Sequence, residues 1–497
     1  MLILALDQST SATKALLFDA EGRVLEREAR EHRQHYPEPG WVEHDADEIW
    51  SNTLDVLGTV VRRAGEGAAR IAALSITNQR ETIVLFERGS GRPVHPAIVW
   101  QDRRGDALCA AQAAAGREAA LHRKTGLKLD AYFSASKLQW LLRERADLRE
   151  RVERGEVLVG TIDAYLVYRL SAGKVFATDH TNASRTLLFD IVRLDWDDEL
   201  CAWWDVPRRA LPEVRESTAR FGETTLDGTL AAPLPICGVM GDSQASLFAQ
   251  RCFAPGSVKA TFGTGSSLML NVGAYPKFSD KGVVTALAWV HGGVPTYAFE
   301  GIVIAAASTL AWLRDQLGVF SGAAEIEALA ASVPDSGGVA IVPAFSGLGL
   351  PYWNASARGA IVGLSAHSDR RHLARAAIES IALQVRDALE AMRAEAGLEL
   401  SVLQADGGPT ANRLLMQLTA DLTGVEVRAA EAPDCSPLGA AMAGMLGMGV
   451  HASLDALAAL PHGAAAYEPR MDPEPIAALL RTWRDAVARV VAEPERP

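Results

Sequence analysis

Two stretches of this chain share one form. LILALDQSTSATKALLFD, residues 2 to 19, and VKATFGTGSSLMLNVG, residues 258 to 273, each run apolar, then small and polar, then apolar again. Aliphatic runs broken by a cluster of Gly, Ser and Thr read as two strands joined by a tight turn. In the first stretch Asp7 places a carboxylate where the strand should be most apolar, and a single Lys14 closes the turn. Either turn alone is ordinary hairpin punctuation. Two of them, one beside a strand-end acid, suggest one ligand held from two sides.

The chain has 497 residues, too many for one ordinary core, so two to four domains are expected on size alone. Hydrophobic residues make up 48% and charged residues 22%, the composition of a folded globular protein. A formal net charge of −12 argues against nonspecific nucleic-acid binding, which depends on clustered Lys and Arg. The five cysteines show no CxxC pair or metal-ligand spacing, so they read as reduced, mostly buried thiols. LILALD lacks the pattern of a signal peptide, and the apolar run GAAMAGMLGMGV (439 to 450) falls short of the roughly 20 residues that span a bilayer. The expectation is a cytoplasmic protein with no membrane insertion.

Strand-like runs alternate with helical patterns throughout, which is an α/β signature. IAALSITNQRE (71 to 81) and AIVWQDRR (97 to 104) each read as a strand ending in charged residues, and DEIWSNTLDVLGTVVRRAG reads as an amphipathic helix. The plan restarts at Val258 and includes a long helix over 372 to 397. The two expected domains are residues 1–250 and 251–497, joined by ordered chain.

No phosphate-binding P-loop and no GxGxxG after a strand is present, so any phosphate would be held by small turns with exposed N–H groups and hydroxyls. Residues 9 to 13 and 263 to 267 qualify. Asp242 in LPICGVMGDSQASLF lies between a strand pattern and a helical pattern, where a lone Asp is most often a helix cap. Arg80-Glu81 taken alone would be a surface pair, and Trp100 and Tyr132 core aromatics.

The order of motifs resembles that of the FGGY carbohydrate kinases, and within them the glycerol kinases. The resemblance covers nearly the whole chain: ALDQSTSATK, YPEPGWVEHD, ITNQRET, AIVWQDRR, YFSASKLQWLL, TDHTNASRTLLFD, GDSQASLFAQ, TFGTGS, PAFSGLGLPYW, GAIVGLSAHSDRRHLARAAIES and DGGPTAN. It implies an α/β fold of two RNase H-like (actin- or hexokinase-like) domains closing on ATP and substrate in an interdomain cleft. It also implies ATP-dependent phosphorylation of a terminal hydroxyl of a small polyol, glycerol first.

Carried onto this sequence, the resemblance makes Asp242 the catalytic base and Arg80, Glu81, Trp100 and Tyr132 the polyol site, with Ser243 and Ser267 beside them. Thr10, Ser11, Lys14, Thr264, Gly265, Gly408 and Asn412 fall at ATP-binding positions. Asp7 suits the positioning of Mg²⁺, with Asp242 contributing through water, since that ion takes one or two carboxylates and keeps its waters. Arg and Glu offer complementary donors and acceptors to a diol.

This sequence departs from the usual glycerol kinase pattern at several of these places. Ser9 and Lys14 stand for Gly and Arg, Ala307 and Ala311 for Gly and Gln near the nucleotide, and Ser243 and Ser267 for Gln and Phe in the substrate pocket. The last two exchanges open room and add hydroxyls, which raises a longer polyol or ketose (a tetritol, pentitol or ketopentose) as the alternative substrate. A rival of a different class is a catalytically silent nucleotide-binding sensor on the same scaffold. The segment TLDGTLAAPLPI (225 to 236) differs from the glycine-rich loop through which some bacterial glycerol kinases sense a sugar bisphosphate, and no such response is expected. A homo-oligomer is compatible with the sequence.

Overall fold

The computed structural model describes residues 1–431, 434–461 and 463–491. Its first sheet is built outward from Leu2–Gln8, every residue of which is buried. A strand covered on both faces must be apolar throughout, and this one is, apart from its last two residues. Ala12–Asp19 pairs with it antiparallel, setting Asp7 opposite Lys14, and Val24–Glu31 closes that edge antiparallel to Ala12–Asp19. On the other side Ile71–Asn78 and then Leu234–Gly241 run parallel to the central strand, and Arg220–Thr224 pairs antiparallel outside them. The exposed edge strand reads VLEREARE, a charged sequence that discourages edge-to-edge association.

The second sheet repeats this order. Ser257–Phe262 lies at the centre, flanked antiparallel by Ser266–Gly273 and then Val294–Val303, and in parallel by Val402–Asp406 and Val427–Ala430. Val284–His291 and Ala464–Tyr467 extend the two edges. With the outer strands Arg220–Thr224, Val284–His291 and Ala464–Tyr467 left aside, third, second, first, fourth, fifth is the strand order of both halves. The likeness that the sequence carries only as a pattern is therefore a repeated topology, and the fold is a pair of RNase H-like domains.

Helix boundaries follow local chemistry. Ala46–Ala64 starts where the Asp45 side chain accepts the N–H groups of Asp47 (2.8 Å) and Glu48 (3.3 Å). Arg370–Ala396 opens on a capping box between Asp369 and His372 and stops at Gly397 in the left-handed region. AIVWQDRR departs from expectation: only Ala97–Ile98 pairs as strand, after which the chain turns to bring Trp100 toward the cleft.

One helix joins the halves. Cys435–Gly447 packs against the Asp242–Ala249 helix and lies across the first sheet, where Ala441 and Met445 share a buried cluster with Ile3, Ala5, Leu16, Phe18, Ala73 and Cys237. Its small residues permit that approach. A Cβ at Gly439 would lie 1.8 Å from the Ala245 carbonyl oxygen, so residues 439 to 446 of the apolar run form a close-packing face. Among the described residues no helix is long and apolar enough to cross a membrane, and the five cysteines are buried and form no disulfide.

Candidate active site

Parallel central strands end at the same side of a sheet, so acids and turns that follow them in sequence gather in one crevice. Asp7 ends one such strand and is almost fully buried. Lys14 Nζ, directly across the ladder, lies 3.6 Å from its Oδ2. Burial first, then the nearby Asp242 charge, push the Asp7 carboxyl up to about 6 against the pull of Lys14. A buried carboxylate raised by another carboxylate is one whose charge a divalent cation would relieve. Among the described residues no three His, Cys, Asp or Glu side chains gather as a metal-ligand cluster.

Asp242 begins the Asp242–Ala249 helix directly after the parallel strand Leu234–Gly241. Its Oδ1 accepts the Ser243 N–H at 2.6 Å and lies 3.3 Å from Arg80 Nε, and its side chain remains partly open to solvent. The helix-cap reading of this residue does not hold, because Gly241 occupies the N-cap position, no side chain caps the helix, and Asp242 is its first residue. Gly241 fits beneath it because a Cβ there would meet Arg80 Cγ and Cδ at 2.8 Å.

Arg80 is the hub. Its Nη1 donates to Gln244 Oε1 at 3.2 Å and its Nη2 to Glu300 Oε1 at 2.8 Å, while Nε faces Asp242. A guanidinium has five N–H bonds, so partners on three sides leave two for a ligand. Glu300 comes from the second sheet and Arg80 from the first, so this buried pair spans the two halves. Arg185 completes the cluster, with Nε 2.6 Å from Glu81 Oε1 and Nη1 2.6 Å from Glu300 Oε2.

The two acids respond differently. Burial raises both, but two close guanidiniums outweigh it at Glu300 and hold that carboxyl down at about 2. Glu81 has one close guanidinium, with Arg80 Nε more distant at 3.9 Å, and burial leaves it above the usual range. Glu81 also adopts φ +63, a left-handed conformation that side chains other than glycine adopt at a cost, and strain of this kind collects at functional sites.

A pH dependence follows from Glu300. A carboxyl whose folded-state pKa is depressed stabilises the fold above its ordinary value of 4.5, and that stability is lost as pH falls from 4.5 toward about 2. Glu300→Gln is therefore expected to unfold at lower urea than the parent at pH 7. The gap should narrow by about pH 3.5, as both proteins come to carry an uncharged side chain there in the unfolded chain. Equal midpoints at pH 7 would contradict the assignment.

The wall of the crevice is aromatic. Trp100 and Tyr132 stack in a tilted arrangement with ring centroids 5.2 Å apart, and Trp100 Nε1 donates to Thr10 Oγ1 at 2.9 Å. That bond ties the wall to the first turn while leaving the Thr10 hydroxyl proton free. Beneath Tyr132 the buried Lys137 ammonium donates to the carbonyls of Ala131, Tyr132 (2.9 Å) and Phe133 (3.1 Å), which fixes the loop. Ser11 is exposed at the tip of the turn.

Across the crevice, Gly263–Gly265 forms the second turn, with the Gly263 N–H bonded to the Gly265 carbonyl at 2.8 Å. Gly265 is required because a Cβ there would lie 2.5 Å from the Val303 carbonyl oxygen. Thr264 is exposed, and its carbonyl accepts the N–H groups of Ala306 and Ser308, which tethers the turn to the helix Ala307–Asp315. Gly408 and Asn412 line a cavity of about 520 Å³ together with Ala307 and Ala311 from that helix. Gly407, not Gly408, is the constrained glycine of this loop, with φ +97 and the Phe262 carbonyl oxygen 1.9 Å from where its Cβ would stand.

Ser267 pairs with Thr261 and Ile302 in the second sheet, and strand alternation puts it on the face that carries Glu300. Its Oγ is enclosed without a hydrogen-bond partner. Ser243 lies next to Asp242 and is half-buried.

Glu300, Arg185, Gln244, Lys259 and Asp406 were not anticipated as members of this network. Asp406 Oδ2 accepts from Ser246 Oγ at 2.7 Å, linking the strand before the DGG loop to the helix that begins with Asp242. Lys259 is buried on the neighbouring strand and bonds Thr261 Oγ1 at 2.8 Å. The sequence does carry a signal for Glu300 and Lys259: each is a lone charge in an apolar strand, as Asp7 is.

The N-terminal domain model of the FGGY family of carbohydrate kinases matches residues 2–249, and the C-terminal domain model of the same family matches residues 258–448. A glycerol kinase of Thermus brockianus is 49% identical over 487 residues, which is 98% of this chain and 98% of that protein. A glycerol kinase of Carboxydothermus hydrogenoformans is 45% identical over the same length, 98% of this chain and 97% of that protein. Among solved structures, Plasmodium falciparum glycerol kinase with ADP superposes with a TM-score of 0.93 at 32% identity, covering 99% of each chain. Xylulose kinase from Rhodospirillum rubrum superposes with a TM-score of 0.87 at 26% identity, covering 98% of each chain.

Proposed function

The chain belongs to the FGGY family of carbohydrate kinases, and from that premise we propose that it transfers the γ-phosphoryl group of ATP to a terminal hydroxyl of glycerol, giving glycerol 3-phosphate. The observation that carries this reading is the meeting of Arg80, Asp242 and Glu300 at the seam of two domains, beside an aromatic wall and between two small turns. Near-full-length identity to several glycerol kinases supports the choice of polyol.

Phosphoryl transfer asks a protein mainly to position its reactants and to neutralise charge. Trp100 and Tyr132 cover the carbon skeleton, while the two spare N–H bonds of Arg80 and the second Glu81 oxygen fix adjacent hydroxyls with direction. Asp242 accepts the proton of the attacking hydroxyl. That transfer becomes favourable only as the oxygen bonds to phosphorus, so its placement by Arg80 and the Ser243 N–H matters more than its basicity. Thr10, Ser11 and Lys14 hold phosphate oxygens from one domain, and Thr264 and Gly265 hold them from the other. Mg²⁺, which Asp7 and Asp242 fit through water, supplies charge neutralisation on the phosphates when bound. Domain closure excludes water and so protects ATP from hydrolysis. The buried reduced thiols suit a cytoplasmic setting.

A second reading, a four- or five-carbon polyol or ketose, is favoured by one specific feature. Ser267, on the face that carries Glu300, and Ser243, beside Asp242, are both small side chains, which leaves room that an additional substrate carbon and hydroxyl would fill. An ADP-release assay over glycerol, erythritol, xylitol and xylulose separates the two. Highest kcat/KM for glycerol establishes the first reading and highest for a longer compound the second; absence of turnover with all of them rejects both.

A further inference from the structure

The motif TDHTNASRTLLFD contributes Arg185 to the cluster around Arg80, and the residues just before Arg185 have a use of their own. Asp179 is fully buried and stands as the N-cap of the short helix His180–Ala183. Its Oδ1 accepts Thr181 Oγ1 (2.8 Å), the Asn182 N–H (2.9 Å) and Asn182 Nδ2 (2.9 Å). Its Oδ2 accepts the Thr181 N–H (3.0 Å) and Ser217 Oγ (2.7 Å). Helix capping explains the two backbone donors. The side-chain donors from Thr181, Asn182 and Ser217 are oriented by the same carboxylate.

Two of these side chains reach the strands that deliver the site. Thr181 gives its one hydroxyl proton to Asp179, which leaves its lone pairs to accept, and the Gly241 N–H donates to Oγ1 at 2.8 Å. Gly241 ends the strand Leu234–Gly241 and immediately precedes Asp242. The Arg80 stem fills the space where a Gly241 side chain would stand, so packing and this one hydrogen bond fix the residue together. Asn182 forms a reciprocal amide pair with Asn78, at 2.9 Å in one direction and 3.2 Å in the other. Asn78 is the ladder partner of Gly241 and closely precedes Arg80. All of these side chains are buried.

Arg80 and the Ser243 N–H fix the Asp242 carboxylate, whereas the Thr181 hydroxyl fixes the backbone from which that carboxylate springs. The geometry points to Asp179 as the positioning residue for Asp242, acting through Thr181 Oγ1 and the Gly241 N–H. Asp179 reaches the reacting groups only through that relay. A small misplacement of the proton acceptor slows transfer while the bound ground state is left intact, so the relay should govern kcat and not KM. This deepens the proposed function and rests on it for turnover, but not for the placement of the strand end.

A matched pair of substitutions in the full chain tests it. Thr181→Val removes the relay hydroxyl and keeps its shape; Ser217→Ala removes a hydroxyl from the same carboxylate and leaves the bond to Gly241 in place. Both variants are expected to melt below the parent. Only Thr181→Val should lower kcat, by between about tenfold and a hundredfold, with the KM for polyol and the affinity for ADP within about twofold of the parent. Thr181→Ser, which restores the hydroxyl, should return kcat to within about threefold. Parental kcat in Thr181→Val, an equal loss in Ser217→Ala, or no rescue by serine overturns the inference. Deuterium uptake by the peptide 238–246 reads the same link without turnover: it should be faster in Thr181→Val than in Ser217→Ala, and equal uptake counts against the relay. If Thr181→Val does not fold, Thr181→Ala, which sets no methyl beside the carboxylate, carries the same expectations. A parent protein that phosphorylates no polyol rejects the proposed function, and the uptake comparison then decides the inference alone.

Discussion

Asp242→Asn is expected to lower kcat about a thousandfold, within the range general-base catalysis contributes, while leaving nucleotide binding and thermal stability unchanged. In barrier terms this is about 4 kcal/mol. The amide keeps the shape of the side chain and an oxygen facing the Ser243 N–H and Arg80 Nε, so the local geometry survives. What disappears is the capacity to take a proton from the attacking hydroxyl. Asp7 and its pairing with Lys14 are untouched by the substitution. The side chain is partly exposed and Arg80 retains Glu300, so the substitution strands no buried charge. ADP release, an ADP titration and a melting curve on the same preparation check all three statements. Undiminished turnover would remove Asp242 from the mechanism, whereas a catalytically silent sensor would show no turnover in the parent and an unchanged nucleotide response in the variant.

Arg80→Ala should harm the protein twice. Truncating one partner of a buried ion-pair cluster leaves the others uncompensated, a loss of about 3–5 kcal/mol. Here Glu300 would keep only Arg185, Gln244 Oε1 would lose its donor, and Asp242 would lose its facing cation. Urea unfolding should therefore show a clearly lower midpoint. Among molecules that remain folded, loss of two charged donors to the polyol is expected to reduce kcat/KM about a hundredfold. Arg80→Lys separates the effects: it restores the charge but not the planar fork, so stability should recover more than kcat/KM does. An Arg80→Ala protein that unfolds at the parental urea concentration would show that the cluster is not what joins the two sheets.

The sequence reveals the site where chemistry and chain order coincide. Asp7 beside its turn, Asp242 between strand and helix, and Gly263–Gly265 are all local arrangements, and local arrangements survive in a linear string. The repeated sheet order is visible only as a recurrence of patterns, because strand pairing is set by long-range contacts. Glu300 and Arg185 show the limit. Neither has a neighbour in sequence that explains its charge, and each acquires its meaning from a guanidinium or carboxylate delivered by another part of the chain. The cavity beneath Ala311 is similarly illegible, since its volume depends on how far one helix stands from the DGG loop. Cys435–Gly447 is the clearest case: its small apolar residues look like a weak membrane candidate until the first sheet is placed beneath them.

That helix bears on how the polypeptide matures on the ribosome. The strands around Ile3, Ala73 and Cys237 emerge early, yet the side chains that roof them, Ala441 and Met445, are synthesised near the end. In chain order, the native cover of that aliphatic surface is therefore made only when the final quarter of the polypeptide has been synthesised.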